Sequence, residues 1–251
     1  MLAAERKQLI LNSLSHNGKV LAAELSTRFH VSEDTIRRDL RELAAEGLLQ
    51  RVHGGALPKT SLVQGYTQRK AESLPVKSAI GAAAAKLIQA GQVVIIDGGT
   101  TPREVATHLP LDWKGTIITH SVPTMTAIAE HPLADLIMIG GQLDKFSQVA
   151  VGAQTIEAYS HIHADVCIVG VVGLHIEAGL TDQLFEEANV KRWMLAAAAK
   201  VIAVVTSDKL GKVSSYQFAP ATSLTHLVTD SAATEEQLAL FRRAGIQVLT
   251  A

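Results

Sequence analysis

From residue 75 to the end of the chain, short runs of branched apolar residues alternate with helix-like segments. Such runs are QVVIID at 92–97, GTIIT at 115–119, ADVCIVG at 164–170 and VIAVVT at 201–206, and a helix is predicted over 186–199. Continuous apolar strands separated by helices are typical of a parallel sheet that helices cover on both faces. The sequence therefore predicts an α/β domain with a mostly parallel sheet.

Small and hydroxylated residues follow these predicted strands at their carboxyl ends. Ligands of open α/β sheets bind at that edge, where glycines let backbone amides approach an anion closely. Glycines and threonines also form ordinary turns, but five such loops on one edge favour an anion site. Lys209 is the preferred cation because it directly follows a strand. The candidate anion-binding residues are Asp97, Gly98, Gly99, Thr100, Thr101, Ser121, Gly140, Gly141, Lys145, Gly170, Lys191 and Lys209.

Residues 31–55, VSEDTIRRDLRELAAEGLLQRVHGG, predict a helix that projects arginines into solvent. Ser32 is a suitable N-cap, and apolar residues at 36, 40 and 43 form one buried stripe. Arg37, Arg38 and Arg41 fall on the remaining faces. Taken alone, this charge run is equally consistent with a solvated helix face whose arginines pair with nearby acids.

The surroundings of this helix favour a DNA-binding module. Two further amphipathic helices are predicted over 5–15 and 21–29, which gives the order of a helix-turn-helix. Behind them, the adjacent Gly54 and Gly55 predict a hairpin wing, with Arg51 and His53 on one face of it. We therefore predict an N-terminal winged helix-turn-helix that contacts duplex DNA.

The segment 6–55, above all VSEDTIRRDL followed by RVHGGA, resembles the DeoR family of bacterial transcriptional regulators. The resemblance implies that Thr35, Arg37 and Arg38 contact the operator, with Ser32 as the helix cap. It also implies that Arg51 and His53 lie on the wing.

The resemblance extends into the second half of the chain. The matching strings are DGGTT at 97–101, GG at 140–141, AGLT at 178–181, EEANVKR at 186–192 and KLG at 209–211. Tyr66, Arg69 and Lys77 also stand where the family has an aromatic residue, an arginine and a lysine. The family implies an effector domain related in fold to ribose-5-phosphate isomerase, with a phosphorylated sugar or sugar derivative as ligand. The chain departs from the family at 119–121, where THS replaces TNS, and at Val172, where many members have an aspartate.

The 251 residues, 47% apolar and with a net charge of −1, predict a soluble protein of two domains. We place the DNA-binding domain at 1–58, a linker at 59–74 and the effector-sensing and oligomerisation domain at 75–251. The single cysteine, Cys167, excludes an internal disulfide, and no targeting or membrane-spanning segment is evident. We expect a cytoplasmic protein without membrane partners or cofactor. No metal site is expected either, because His161 and His163 lack a second ligand cluster.

Three functions are compatible with these patterns. The first is a repressor of sugar catabolism genes that acts as a homodimer or homotetramer on operator DNA and responds to a phosphorylated metabolite. The second is an isomerase-like enzyme on sugar phosphates, with an appended DNA-binding domain and with Asp97 and Lys209 needed for turnover; no catalytic residue is assigned, because a fold does not transfer a reaction. The third is a constitutive DNA-binding protein whose second domain only oligomerises. We favour the first.

Overall fold

The computed structural model describes residues 2–17, 19–46, 48–52, 54–58 and 65–251. Its N-terminal part is a winged helix-turn-helix in which the wing is an antiparallel sheet with strand order β1-β3-β2. Gly54, between the second and third strands, has a φ of +81°, which glycine adopts without strain. The elements are α1 (Ala3–Asn17), β1 (Val20–Leu21), α2 (Ala22–Phe29), α3 (Glu33–Ala45), β2 (Leu49–Val52) and β3 (Gly55–Pro58).

This module has its own apolar core. The buried stripe predicted on α3 is present, and Ile36, Leu40 and Leu43 pack against Ile10 and Leu14 of α1. Leu9, which the helical pattern had also placed on the inner face of α1, is 37% exposed because that face is centred on Ile10. The residues that share the cluster are Ile10, Leu14, Val20, Ala22, Leu25, Ile36, Leu40, Leu43, Leu49 and Ala56.

Two helices, α4 (Tyr66–Ala71) and α5 (Leu74–Ala85), follow the wing, and α4 lies within the stretch predicted as linker. The buried Tyr66 packs at the start of α4, and its backbone N–H donates to the carbonyl of Phe146, 2.9 Å away. Lys77 on α5 donates to the carbonyls of Arg69 and Glu72, each at 2.6 Å. Helix α4 is therefore held by hydrogen bonds to both the following helix and a distant loop.

The remaining chain forms a seven-stranded parallel sheet, which confirms the predicted fold class. Its strand order is β15-β14-β12-β9-β4-β5-β6. The elements of this region are β4 (Val93–Ile96), α6 (Thr100–Thr107), β5 (Gly115–Thr119), α7 (Val122–Ile128), β6 (Ala134–Met138), β7 (Gln142–Asp144), β8 (Val149–Val151), α8 (Ala153–Ser160), β9 (Ala164–Val169), β10 (Gly173–His175), β11 (Gly179–Asp182), α9 (Phe185–Ala196), β12 (Ala198–Val204), β13 (Tyr216–Ala219), β14 (His226–Thr229), α10 (Glu235–Arg243) and β15 (Gln247–Thr250).

Helices cover both faces of this sheet, so that the central strands β4, β9, β12 and β14 are buried on both sides, whereas the edge strands β6 and β15 are partly exposed. On β4, Ile95 faces one apolar cluster, whereas Val94 and Ile96 face the other. The same alternation holds on β9, where Cys167 and Ile168 point to opposite faces. Cys167 is a fully buried thiol.

The helix predicted over 186–199 is shorter than expected. It ends at Ala196, and β12 begins at Ala198, which pairs with Ala164 of β9. The alanines favour helix by propensity, but pairing with a neighbouring strand of the central sheet overrides that preference.

Short antiparallel elements stand at the carboxyl edge of the large sheet. They are the β7–β8 hairpin and a three-stranded sheet of order β10-β11-β13. These strands contain only three or four residues each, and periodicity had not predicted them. They border the sheet edge at which the predicted ligand loops lie. Within the part of the chain that the structure describes, no helix is long and apolar enough to cross a membrane.

Candidate functional site

Helix α3 begins at the residue predicted to cap it. The Ser32 hydroxyl accepts a hydrogen bond from the backbone N–H of Thr35 at 3.2 Å and also contacts the Thr35 hydroxyl at 2.9 Å. Opposite the exposed face, Asp39 forms a buried ion pair with Arg6 of α1, with 2.6 Å between Nε and Oδ2. A second bond, Nη2 to Oδ1 at 3.1 Å, makes the pair bidentate and fixes the orientation of α3.

The predicted arginines of α3 all lie on its exposed face, but their partners differ. Arg37 is paired with Glu33 at 2.7 Å and with Asp34 at 3.6 Å, as the solvated-face interpretation expects. For Arg38 and Arg41, the described residues place no carboxylate within ion-pair distance. Their positive charges are thus available to an anionic partner.

The predicted wing residues have different outcomes. Arg51 lies on β2 and is exposed. His53 lies outside the described residues, so its place on the wing stays a prediction. Thr35 is half-exposed in the first turn of α3. The structure thus presents Thr35 and the arginines as one exposed polar surface, which we call the α3 surface (Thr35, Arg37, Arg38, Arg41).

A narrow cleft opens at the carboxyl edge of the parallel sheet. The loops after β4 and β9, the start of α6 and the turn after β12 meet in it. We call it the sheet-edge cleft. Seven of the predicted ligand residues line it: Gly98, Gly99, Thr100, Thr101, Gly170, Lys191 and Lys209.

Asp97 forms the floor of the sheet-edge cleft and ties two of its loops together. Its fully buried carboxylate accepts from the backbone N–H of Gly98 at 2.7 Å and from that of Gly170 at 2.9 Å. Burial raises the pKa of this carboxyl despite the nearby Lys191 and the two amide donors. Gly99 follows with a φ of +111° and leads directly into α6. This turn, which glycine adopts without strain, exposes the start of the helix to the cleft.

Lys191 is buried at the centre of a carboxylate cluster. Its Nζ lies 2.8 Å from Asp182, 3.3 Å from Asp97 and 3.3 Å from Glu187, and it also donates to the Gly170 carbonyl at 3.1 Å. Burial alone would lower the pKa of Lys191, but the three carboxylates hold it well above its ordinary value. Its charge is therefore already compensated within the protein.

Glu187 is the member of this cluster that ionises least readily. Burial, followed by the charge of Asp182, raises the pKa of Glu187 to about 7. Near neutral pH its side chain is thus present in both protonation states, and it lines the cleft beside Lys191. A protonated carboxyl donates a hydrogen bond, so this wall of the cleft can accept from or donate to a ligand hydroxyl.

Lys209 has a different environment. Its Nζ donates to the Val171 carbonyl at 2.9 Å, and no carboxylate of the described chain lies within ion-pair distance of it. Burial, followed by the positive charge of Arg69, lowers the pKa of Lys209 to about 8. An anion in the cleft would relieve this unfavourable arrangement of like charges.

The structure separates four predicted residues from the cleft. Ser121 caps α7, its hydroxyl accepting from the Thr124 N–H at 3.3 Å. Gly140 and Gly141 follow the edge strand β6 and are exposed. Lys145 lies in the β7–β8 turn, beside a second cleft that includes Phe185. A role for these four in ligand binding stays a prediction without support from the cleft geometry.

His120, at a position where the chain departs from the family string, is buried beneath the cleft. Its Nδ1 lies 3.0 Å from the Tyr159 hydroxyl, and its Nε2 lies 3.8 Å from Asp97 without a hydrogen-bond partner in the described residues. Burial and the nearby charge of Lys191 lower the pKa of His120 to about 3. This histidine is therefore neutral and packs under the floor.

Several cleft residues were not assigned to the site from the sequence. Arg69 lies on α4, and Glu187 lies in the EEANVKR string. Both stand at positions that match the family, but no sequence pattern indicated that either lies at the ligand site. Asp182 had no such signal, because only the pairing of β11 brings it beside Lys191. The additional lining residues are Arg69, Ser147, Asp182, Gln183 and Glu187.

Family models match both parts of the chain. The model for the DeoR C terminal sensor domain matches residues 72–231, and the DeoR-like helix-turn-helix domain matches residues 6–61. A transcriptional regulator from Haloferax volcanii, GlpR, is 36% identical over 99% of this chain and 98% of its own length. The transcriptional repressor GlcR from Bacillus subtilis is 34% identical over 99% of this chain and 96% of its own length. The glycerol-3-phosphate regulon repressor of Escherichia coli is 32% identical over 84% of each chain.

Solved structures show more distant likeness. The full-length sorbitol operon regulator SorC from Klebsiella pneumoniae aligns over 95% of this chain and 98% of its own, with 12% identity and a TM-score of 0.44. Ribose 5-phosphate isomerase A from Methanocaldococcus jannaschii aligns over 55% of each chain, with 12% identity and a TM-score of 0.41.

Proposed function

The chain belongs to the DeoR family of DNA-binding transcriptional regulators, and from this premise we propose that it is a repressor of genes for sugar or sugar-derivative catabolism. A phosphorylated metabolite bound in the sheet-edge cleft alters its affinity for operator DNA. The family assignment rules out the enzyme hypothesis, because the relatives that match along nearly the whole chain are transcriptional regulators.

The α3 surface supports the DNA half of the proposal. In a helix-turn-helix the second helix enters the major groove, and residues near its N-terminus contact base edges. Thr35, Arg37 and Arg38 stand in the first turns of α3, whereas Arg41 stands further along it. We assign base contacts to the first group and a phosphate contact to Arg41, with Arg51 of the wing as a further backbone contact.

One observation carries the ligand half: Lys209, which has no carboxylate within ion-pair distance among the residues that the structure describes, converges with the start of α6 in one cleft. The first amides of a helix and a lysine together form a site for phosphate. Thr100 and Thr101 add hydroxyl donors at the same helix start. The regulon named for the Escherichia coli relative is that of glycerol-3-phosphate, a phosphorylated compound, which agrees with this ligand class.

We further propose that the regulator acts as a homo-oligomer, either a dimer or a tetramer. A single small module contacts a limited stretch of duplex, and helix-turn-helix proteins bind repeated half-sites with paired modules. We keep the division into domains at 1–58 and 75–251, with the stretch between them as a connector that contains α4.

Fluorescence anisotropy with a duplex from the region upstream of the gene tests the function. The full chain should bind this duplex, and glycerol phosphate, a hexose phosphate or a pentose phosphate should change the affinity about 5- to 150-fold, a typical coupling range. The unphosphorylated compounds are the matched ligand controls. A duplex affinity that no phosphorylated compound alters would contradict the ligand half, and absence of duplex binding would contradict the DNA half.

A further inference from the structure

Arg69 is the cleft residue that lies on the connector between the two domains. Only residues 59–64 separate the last strand of the wing from the stretch that begins at Gly65 and forms α4. Helix α4 is thus the first element of the described chain after the DNA-binding domain. Its Arg69 side chain is half-buried and lines the sheet-edge cleft together with Lys209.

Hydrogen bonds attach α4 to the sensor domain at its two ends. The Tyr66 N–H bonds to the Phe146 carbonyl at its start, and Lys77 Nζ binds the Arg69 and Glu72 carbonyls at its end. The hydroxyl of Tyr66, the first residue of the helix, is buried and has no hydrogen-bond partner in the described residues. A buried polar group without a hydrogen-bond partner costs free energy, so the packing of α4 against the sensor domain is less stable than it would be with that group satisfied.

The charges around the cleft are divided unequally. Lys191 is neutralised by three carboxylates, whereas Lys209 has no carboxylate within ion-pair distance among the described residues, and the positive charge of Arg69 contributes to the lowered pKa of Lys209. Lys77 adds a third positive charge near by. An anion with two charges would turn this repulsion into attraction and hold Arg69, and with it α4, against the turn that carries Lys209.

We propose that Arg69 is an anion ligand of the sheet-edge cleft and the residue through which an occupied cleft acts on the DNA-binding domain. Lys191 holds the cleft loops together and does not bind the anion. The inference rests on the proposed function and adds to it the residue that couples the two sites. The bound anion then pairs with a side chain of α4, the first described element after the DNA-binding domain in the chain.

The test compares two substitutions that remove one positive charge each. Both Arg69→Gln and Lys209→Gln should weaken binding of inorganic phosphate, measured by calorimetry on the full chain, by about ten- to hundredfold, as expected for one charge-assisted contact. Saturating phosphate should still change the duplex affinity of Lys209→Gln by as much as it changes that of the wild type. Saturating phosphate should leave the duplex affinity of Arg69→Gln unchanged, because α4 of this variant no longer contacts the anion.

Lys70→Gln is the matched control, since Lys70 is the next residue on α4, is exposed and does not line the cleft. It should bind phosphate and respond as the wild type does. Arg69→Lys, which keeps the charge but not the planar guanidinium, should restore part of both effects. Melting curves of all variants establish that each is folded.

Hydrogen exchange provides a second readout. Phosphate should slow amide exchange in residues 66–77 of the wild type and of Lys209→Gln at saturation, but not in Arg69→Gln. Unchanged phosphate binding by Arg69→Gln would overturn its role as ligand, and a full duplex response at saturation would overturn its role in coupling. A wild type that responds to no phosphorylated compound would overturn the proposed function as well, which separates the two failures.

Discussion

At the residue scale, the two lysines of the cleft show how environment divides one residue type into two roles. Three carboxylates contact Lys191, whereas Lys209 has none within ion-pair distance in the described chain. The positive charge of Arg69 affects Lys209 more strongly than the negative charge of Asp208 does, and both lysines also donate to carbonyl oxygens. A lysine whose charge is balanced by nearby carboxylates stabilises the fold, whereas a lysine without a carboxylate partner can pair with a bound anion. Each role predicts a different response to substitution and to pH.

Replacement of Lys191 should mainly destabilise the fold. Lys191→Met leaves Asp97, Asp182 and Glu187 without their counter-charge, and breaking a buried ion pair costs about 3 to 5 kcal/mol. The exposed Lys86→Met, at the end of α5, should change the free energy of unfolding by less than about 0.5 kcal/mol. Denaturant titration of the two variants measures both effects.

The loss in Lys191→Met should depend on pH in a defined direction. Buried carboxyls whose pKa is raised, such as Glu187 at about 7, favour the folded state when protonated. Since Lys191 lowers the pKa of Glu187, the pKa in Lys191→Met lies above about 7, so the loss should be largest at alkaline pH and should shrink as the pH falls toward about 7. A small loss in the free energy of unfolding of Lys191→Met, or a loss that grows as the pH falls, would contradict the role of Lys191 as the counter-charge of the three carboxylates.

Lys209 predicts the pH dependence of ligand binding. Its pKa of about 8 without ligand means that it loses its charge as the pH rises through this value, so phosphate affinity should fall above about pH 8. In Lys209→Arg the charge persists at all accessible pH values, and the fall should disappear. Calorimetric titration with phosphate across this range provides the measurement. Parallel pH profiles for the two proteins would show that Lys209 is not the titrating ligand.

At the element scale, the orientation of α3 depends on a contact that the sequence did not reveal. The buried Arg6–Asp39 pair joins α1 to α3 on the side away from the arginines. Asp39→Ala leaves the Arg6 guanidinium buried and unpaired, so we expect a loss of about 3 to 5 kcal/mol in the stability of the N-terminal module and weaker duplex binding.

Two controls make this prediction specific. Asp34→Ala removes an exposed acid from the same helix and should leave stability within about 0.5 kcal/mol. The double change Arg6→Met with Asp39→Leu removes both charges at once and should recover most of the stability. Equal stabilities of Asp39→Ala and Asp34→Ala would contradict the claim that the Arg6–Asp39 ion pair holds α3 in its orientation.

The same comparison of elements shows what could be read from the sequence. The strands of the parallel sheet were predictable because burial on both faces requires continuous apolar runs such as VVII of β4. The strands β10, β11 and β13 were not, because they contain only three or four residues each and because β13 pairs across a long separation, as Ala219 does with Leu180. The glycine and threonine loops of the cleft were predictable, and so was the helical neighbour Glu187, four residues before Lys191, whereas the contact of Asp182 with Lys191 was not, because it depends on where the short strand β11 lies.

At the scale of the whole molecule, the number of modules on DNA determines how salt affects binding. The logarithm of the association constant falls with the logarithm of salt concentration by about 0.9 for each phosphate neutralised. Arg41 is exposed, has no carboxylate partner in the described chain and stands beyond the first turns of α3. Its loss should therefore remove a phosphate contact rather than a base contact.

The change in salt slope caused by Arg41→Ala thus gives the number of DNA-binding modules that contact the operator. If a homo-oligomer places two modules on its operator, each loses one phosphate contact, and the salt slope should decrease in magnitude by about 1.8. A single engaged module would give a decrease of about 0.9. Arg243→Ala, which removes an exposed arginine from α10 in the other domain, should leave the slope unchanged. Anisotropy titrations over a series of salt concentrations distinguish these results, and an unchanged slope in Arg41→Ala would contradict phosphate anchoring by this helix.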